Sequence, residues 1–258
     1  MSEHVEISDA DGVRTIVLAR PEKKNALTQA MYAAMADAVD SAQIDPAIGV
    51  VLLTGAGDAF TAGNDIGDFL AAPPSPDDAT PAPVIRFLHT ILEAEKPLAA
   101  AVNGLAVGVG VTLLLHCDLV TAASAARFKT PFTDLGLVPE AGASLLLPRR
   151  IGRARASEML LLGETLNAEE ALACGLVARV VDPAHLLEDA RRRCAALARK
   201  APAAVRATKR LLRGDTAEVR ERMAEEIRIF AERLQSDEFR EAAAAFLEKR
   251  EPDFAGQN

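Results

Sequence analysis

Apolar and polar positions alternate over residues 4–7, and a second apolar stretch runs over 14–19. Between them Asp9-Ala10-Asp11-Gly12 has the composition of a turn, so the N-terminus predicts a β-hairpin. Thr28 can cap a helix over 29–44, where Met31, Met35, Ala38 and Val39 fall at helical spacing. Residues 49–54 form a buried strand, stopped by Gly55-Ala56-Gly57-Asp58. The run 72–83 holds five prolines and two aspartates, which excludes a helix or central strand and predicts a mobile loop or lid. A helix follows over 84–94 and a strand over 98–102. Asn103-Gly104 breaks that strand, Gly108 and Gly110 bracket Val109, and the apolar stretch 111–115 has the pattern of a helix buried on all sides. Another strand covers 119–122. From residue 154 onward the chain is nearly all helical, with Pro183 and Pro202 marking breaks. There Val219, Met223, Ile227, Phe230 and Leu234 make one apolar stripe, which is either core or a subunit contact, and 238–250 is a last amphipathic helix. Strands alternating with helices at this rhythm indicate an α/β fold built from βαβ units with right-handed crossovers.

The glycine-punctuated passage from strand to helix at 98–118 leaves free N–H groups at a helix start. Such donors suit a negative charge, fixed or developing. A plain strand-to-helix connection in a core would carry the same pattern.

Charge narrows the partners. The 258 residues have a net charge of −8 and no basic stripe, so neither nucleic acid nor an anionic membrane surface is an expected partner. Cys117, Cys174 and Cys194 are too far apart for a zinc pair and odd in number, so reduced thiols are expected. The opening MSEHVEISDADG is unlike a secretory or organellar signal, and FAGQN carries no peroxisomal tripeptide; the expected location is cytoplasmic.

Most catalytic signatures are missing. There is no P-loop and no His-Glu-x-x-His, and Leu113 stands where a dinucleotide fingerprint needs its third glycine. His4, His89, His116 and His185 are scattered and read as structural or surface residues. Thr112 reads as a helix-packing hydroxyl and Asp118 as a helix-end carboxylate.

Three motifs then occur in a telling order: Arg20-Pro21 with Asn25-Ala26-Leu27, Phe60-Thr61-Ala62-Gly63-Asn64-Asp65, and Asn103-Gly104 with Gly108 and Gly110. With Leu135-Gly136-Leu137-Val138-Pro139-Glu140 they resemble the crotonase, or enoyl-CoA hydratase/isomerase, superfamily along most of the chain. The resemblance implies a ββα spiral core over residues 1–195 and a C-terminal helical trimerisation region over 196–258. It also implies an acyl-CoA substrate, a homotrimer or dimer of trimers, and no cofactor beyond the coenzyme A of the substrate itself.

The same resemblance implies an oxyanion hole from the N–H groups of Asn64 and Val109. Preorganised donors there would stabilise the enolate left when a proton is removed beside a thioester. Hydratases of the family use two glutamates, but the matching positions here are Thr112 and Phe132. Glu140, directly after Pro139, resembles instead the acid of the peroxisomal-type 3-enoyl-CoA to 2-enoyl-CoA isomerases, which implies a single acid/base. Leu135, Leu137, Val138 and Phe132 could supply apolar surroundings that raise its pKa; a solvated loop glutamate is the bland alternative. For coenzyme A the resemblance implies Lys24 and Ala26 near the pantetheine and diphosphate. Ala62, Gly63, Asp65 and Ile66 would lie along the adenine pocket, Asp65 mainly through its backbone, with Val107 and Gly108 beside them. Phe246 and Lys249 would cap the adenine and 3′-phosphate, or else form a solvated helix face. A hydrolytic or dehalogenating thioester enzyme, and a non-catalytic acyl-CoA- or RNA-binding member of the fold, are the competing expectations.

Overall fold

In the computed structural model, residues 2–71, 81–248 and 250–254 are described. The proline-rich stretch expected as a loop or lid thus falls, over 72–80, outside the described residues. The chain opens on an antiparallel hairpin of β1 (Val5–Ala10) and β2 (Val13–Leu18), followed by α1 (Gln29–Ile44). The α1 boundary is the one the sequence predicts, because the Thr28 side chain accepts from Met31 N–H and closes the first turn.

Three passes of one pattern follow. β3 (Val50–Gly55) leads to β4 (Ala59–Thr61), then α2 (Ile66–Ala71) and α3 (Pro83–Glu93). Next, β5 (Leu98–Val102) leads to β6 (Leu105–Val107) and α4 (Val109–Thr112), which tightens into a 3₁₀ turn over Leu113–His116. β7 (Leu119–Ala123) then leads to β8 (Arg127–Lys129), followed by α5 (Ala143–Ile151) and α6 (Arg153–Leu162). β9 (Leu166–Asn167), α7 (Ala168–Ala173), β10 (Arg179–Val181) and α8 (Leu186–Ala198) complete the strands. The chain ends in α9 (Pro202–Arg213), α10 (Ala217–Leu234) and α11 (Asp237–Glu248).

Each pass places one strand in a six-stranded sheet, ordered β1-β2-β3-β5-β7-β10, and one in a four-stranded sheet, ordered β4-β6-β8-β9. All neighbours are parallel except β1 with β2 and β8 with β9. Successive passes therefore stack as turns of a ββα spiral. β3 and β5 read as unbroken apolar runs because both faces are covered: the main core lies on one side, and Leu186, Ala190 and Cys194 of α8 cover the other.

The corner between the two sheets explains Asn103-Gly104. A Cβ at Gly104 would stand 1.9 Å from the Asp58 carbonyl oxygen, so only glycine lets adjacent turns touch there. Asn103 Nδ2 donates to the carbonyls of Gly57 (2.9 Å) and Ala59 (3.0 Å) and its Oδ1 accepts from Gly55 N–H (3.2 Å), while the fully buried Asn25 donates to Ala56 and Ala59.

Three expectations are corrected. The buried helix after Gly108 starts at Val109 and turns 3₁₀ from Leu113, rather than running as one helix over 111–115. The region after residue 154 also contains two short strands, β9 and β10. Asp118 is no simple helix-end charge: its Oδ2 accepts Leu98 N–H (2.8 Å) at the start of β5 and the buried Lys209 ammonium of α9 (2.8 Å). The stripe on α10 faces the core, with Val219, Met223 and Phe230 buried and Ile227 and Leu234 packed against them. No helix among the described residues is long and apolar enough to cross a membrane.

Candidate active site

Glu140 ends the irregular segment before α5, and two left-handed residues follow it, Ala141 at φ 61° and Gly142 at φ 73°. This reversal turns the Glu140 side chain into the protein, where the residue is 5% exposed. The pocket it enters is lined by Phe69 of α2, Val84, Ile85 and Leu88 of α3, and Ile227, Phe230 and Ala231 of α10. Phe69 and Phe230 meet edge to face, ring centroids 6.4 Å apart. The apolar surroundings expected from Phe132, Leu135, Leu137 and Val138 thus come instead from three distant helices, since those four neighbours belong to the core around the loop. Burial in this lining pushes the Glu140 carboxyl up to about 7; a hydrogen bond from Thr112 opposes the rise and the nearby Glu226 charge adds to it.

Thr112 touches the acid directly. Its Oγ1 donates to Glu140 Oε1 at 3.2 Å, which corrects its reading as a packing hydroxyl alone. Tyr32, fully buried on α1, donates its hydroxyl to Asn64 Oδ1 and packs against Phe87 with the rings tilted at 48° and their centroids 5.7 Å apart. Burial, and then the Glu140 charge, hold the Tyr32 hydroxyl well above its usual range, so it stays a neutral donor. His116 is structural: Nε2 bonds the Ala141 carbonyl oxygen at 2.8 Å, and burial lowers the imidazole to about 4. A neutral ring facing a carbonyl must carry its proton on that nitrogen.

The two expected oxyanion donors lie on neighbouring spiral turns. Leu27 N–H donates to the Gly63 carbonyl (2.8 Å) and Asp65 N–H to the Leu27 carbonyl (2.9 Å), a parallel bridge around Asn64. Amides alternate sides along an extended chain, so the Asn64 N–H points away from Leu27. Next to it run the end of β6 and the start of α4: a Cβ at Gly63 would stand 3.0 Å from the Val107 carbonyl, and Gly110 packs on Thr61. Gly108, at φ 54° and ψ −116°, turns the chain so that Val109 begins α4. Among the described residues neither the Asn64 nor the Val109 N–H meets an acceptor. A Cβ at Gly108 would meet only open space, so its φ, not crowding, requires glycine.

The remaining expected binding residues gather along the 20–27 loop and the end of β4. Lys24 and Asn25 are both left-handed, at φ 50° and 56°, and Lys24 O accepts Ala62 N–H at 2.8 Å. Lys24 Nζ is exposed and paired with Asp58 at 2.6 Å; Ala26 and Ile66 are half-buried beside it in sequence space and on α2. Asp65 departs from expectation, because its N–H and carbonyl are engaged by Leu27 and Phe69. Its side chain pairs with Arg20 (2.6 Å) and accepts Asp68 N–H (3.1 Å), so it caps α2. The side chain of Phe246 and all of Lys249 lie outside the described residues. Among the described residues no cluster of His, Cys, Asp or Glu could hold a metal ion.

Comparison with known proteins agrees with this architecture. An enoyl-CoA hydratase/isomerase from Pseudoalteromonas atlantica superposes with a TM-score of 0.92 at 48% identity, covering 98% of this chain and all of the other. The enoyl-CoA hydratase/isomerase family matches residues 8–257, and the chain belongs to that family. Relatives carry both names: enoyl-CoA delta isomerase 2 of Rattus norvegicus is 39% identical over 84% of this chain and 56% of its own length. The 2,3-dehydroadipyl-CoA hydratase of Escherichia coli is 36% identical over the full length of both.

Proposed function

We propose that this chain is a Δ3-Δ2-enoyl-CoA isomerase with Glu140 as its single acid/base. The observation that carries the reading is one buried carboxyl in an apolar pocket, held near neutral pKa, with Thr112 and Phe132 where a hydratase would need its glutamates. Ionised Glu140 takes a proton from C2 of a 3-enoyl-CoA. The C2–H electron pair moves to C1–C2 and the thioester oxygen becomes an enolate, received by the Asn64 and Val109 N–H groups. Glu140 then returns the proton at C4: the C3–C4 π pair forms the new C4–H bond, the C1–C2 pair shifts to C2–C3, and the enolate oxygen re-forms the carbonyl. No water is consumed and nothing is oxidised, so the reaction calls for no cofactor.

Lys24, Ala26, Ala62, Gly63, Ile66, Val107 and Gly108 would line the coenzyme A portion, with Lys24 exchanging Asp58 for a phosphate. Self-association as a homotrimer belongs to the same reading. The name of the dehydroadipyl-CoA relative supports hydration as a second reading. Incubating 3-trans-hexenoyl-CoA with wild type and Glu140→Ala, and following conjugated enoyl-thioester absorbance, separates them. A rise with wild type that is lost in the variant is expected; bleaching of 2-enoyl-CoA without any such rise would favour hydration.

A further inference from the structure

Glu226, on α10, is buried at 4% exposure, and the proposed chemistry gives it no task. Its two oxygens accept separate backbone donors on the turn after Glu140: Gly142 N–H at 2.6 Å and Ser144 N–H at 2.9 Å. These are the cap and second residue of α5, where a carboxylate both satisfies orphan donors and meets the positive end of the helix. The same face of α10 presses on the turn, since a Cβ at Gly142 would lie 3.0 Å from Val219 and 3.5 Å from Met223. One step round the helix, Ile227, Phe230 and Ala231 form the pocket wall.

We propose that Glu226 is a positioning residue for Glu140: its carboxylate clamps the Ala141-Gly142 reversal that aims the acid into the pocket. The proposal rests on Glu140 being the acid/base of the reaction. The Ala141 conformation adds weight, because alanine at φ 61° persists only where surrounding bonds impose it. Here those bonds are Glu226 to Gly142 on one side and His116 to the Ala141 carbonyl on the other.

The groups facing Glu140 are few. α1 presents Tyr32, a neutral phenol; α4 presents Thr112; α2 and α3 present apolar side chains. His116 behind Ala141 is neutral, and Arg222, which donates to Ser144 Oγ, faces Glu226. Among the described residues, Glu226 is thus the anion that acts on Glu140, and it adds to the rise that burial produces in that carboxyl's pKa. Burial pushes Glu226 itself upward, while its N–H donors favour the ionised form.

The test uses the full chain carrying Glu226→Gln or Glu226→Asp. Glutamine keeps the shape without the charge, and aspartate keeps the charge with a shorter reach. In both, kcat on the pH plateau should fall about tenfold to a hundredfold, as expected for a misplaced acid, with KM changed far less. The acid limb should move to lower pH in Glu226→Gln and stay in place in Glu226→Asp. Carboxyl ¹³C NMR, with the Glu140 signal assigned by Glu140→Gln, reads the same midpoint without substrate. That arm decides the proposal even if 3-enoyl-CoA proves not to be a substrate. A folded Glu226→Gln protein with an unmoved Glu140 midpoint overturns the electrostatic role, and an unchanged kcat in both folded variants overturns the positioning role. If the glutamine variant does not fold, an Asp variant with wild-type kcat is enough to sink the clamp.

Discussion

Thr112 and Glu140 are joined by a single hydrogen bond of 3.2 Å, from a neutral hydroxyl to one oxygen of a carboxyl that burial would otherwise keep protonated. A donor of this kind favours the ionised form, so it works against desolvation. In Thr112→Val the Glu140 pKa therefore rises, and the acid limb of kcat/KM moves to higher pH. At neutral pH, less of the base is available and the rate falls. A pH–rate profile of the two proteins measures the displacement; a limb that moves to lower pH contradicts the assignment.

For the wild type, a base with a pKa of about 7 must be ionised to take the C2 proton. Activity should be flat above that value and fall about tenfold per pH unit well below it. Activity that stays constant from pH 8 to pH 5 would be incompatible with Glu140 as the base.

The same carboxyl costs the fold stability. Its folded pKa of about 7 lies above the ordinary 4.5, so its contribution favours folding below the unfolded pKa and is lost as pH rises through 7. The difference is worth about 3 kcal/mol when both states are ionised. Glu140→Gln should accordingly melt higher than wild type at pH 8, and the gap should close near pH 4. Thermal unfolding at the two pH values gives the answer.

The α1 helix was legible to its ends because Thr28 is a cap and the apolar spacing begins right after it, both local facts. The strands β3, β5 and β7 were legible for a related reason: each is an apolar run closed by turn residues. β9 and β10 were not, being two and three residues long, too short for any period to show. Glu140 could be singled out by resemblance, yet its pocket could not. Phe69, Val84 and Phe230 are brought together by the spiral and by α10, across 161 residues of chain (from 69 to 230), and nothing local marks them as neighbours. Nothing local marks Tyr32 as a partner of Asn64, since the two are joined only where the spiral brings α1 beside the segment that bridges Leu27.

Gly108→Ala tests the turn into α4. The space beside Gly108 is open, so the cost is conformational, about 1–3 kcal/mol for an L-residue at φ 54° and ψ −116°. If the turn relaxes, the Val109 N–H loses its aim. We expect kcat to fall by more than KM rises, with circular dichroism unchanged. Equal losses of kcat and folded protein would point to a packing role alone.

Tyr32→Phe removes the hydroxyl that holds Asn64 Oδ1. The lost bond should lower unfolding free energy by about 1 kcal/mol, read from chemical denaturation. A smaller kcat is expected as well, since the same bond fixes the residue whose N–H would receive the enolate oxygen in the proposed reaction. A stability change with wild-type kcat would separate the side chain from the donor.

The bridge around Asn64 carries a consequence for how this segment can vary. Which side an amide faces in extended chain depends on its ordinal position, not on its side chain. Between Thr61 and Asn64, therefore, the number of residues is fixed as firmly as the identities of Thr61, Gly63 and Asn64, whose side-chain bonds and φ are already committed. Deleting one residue there would bring the Asp65 amide, already bonded to Leu27, into the place of the outward-facing one, and the proposed donor would be lost although Asn64 itself could remain in the chain. Heredity in this stretch is kept by counting.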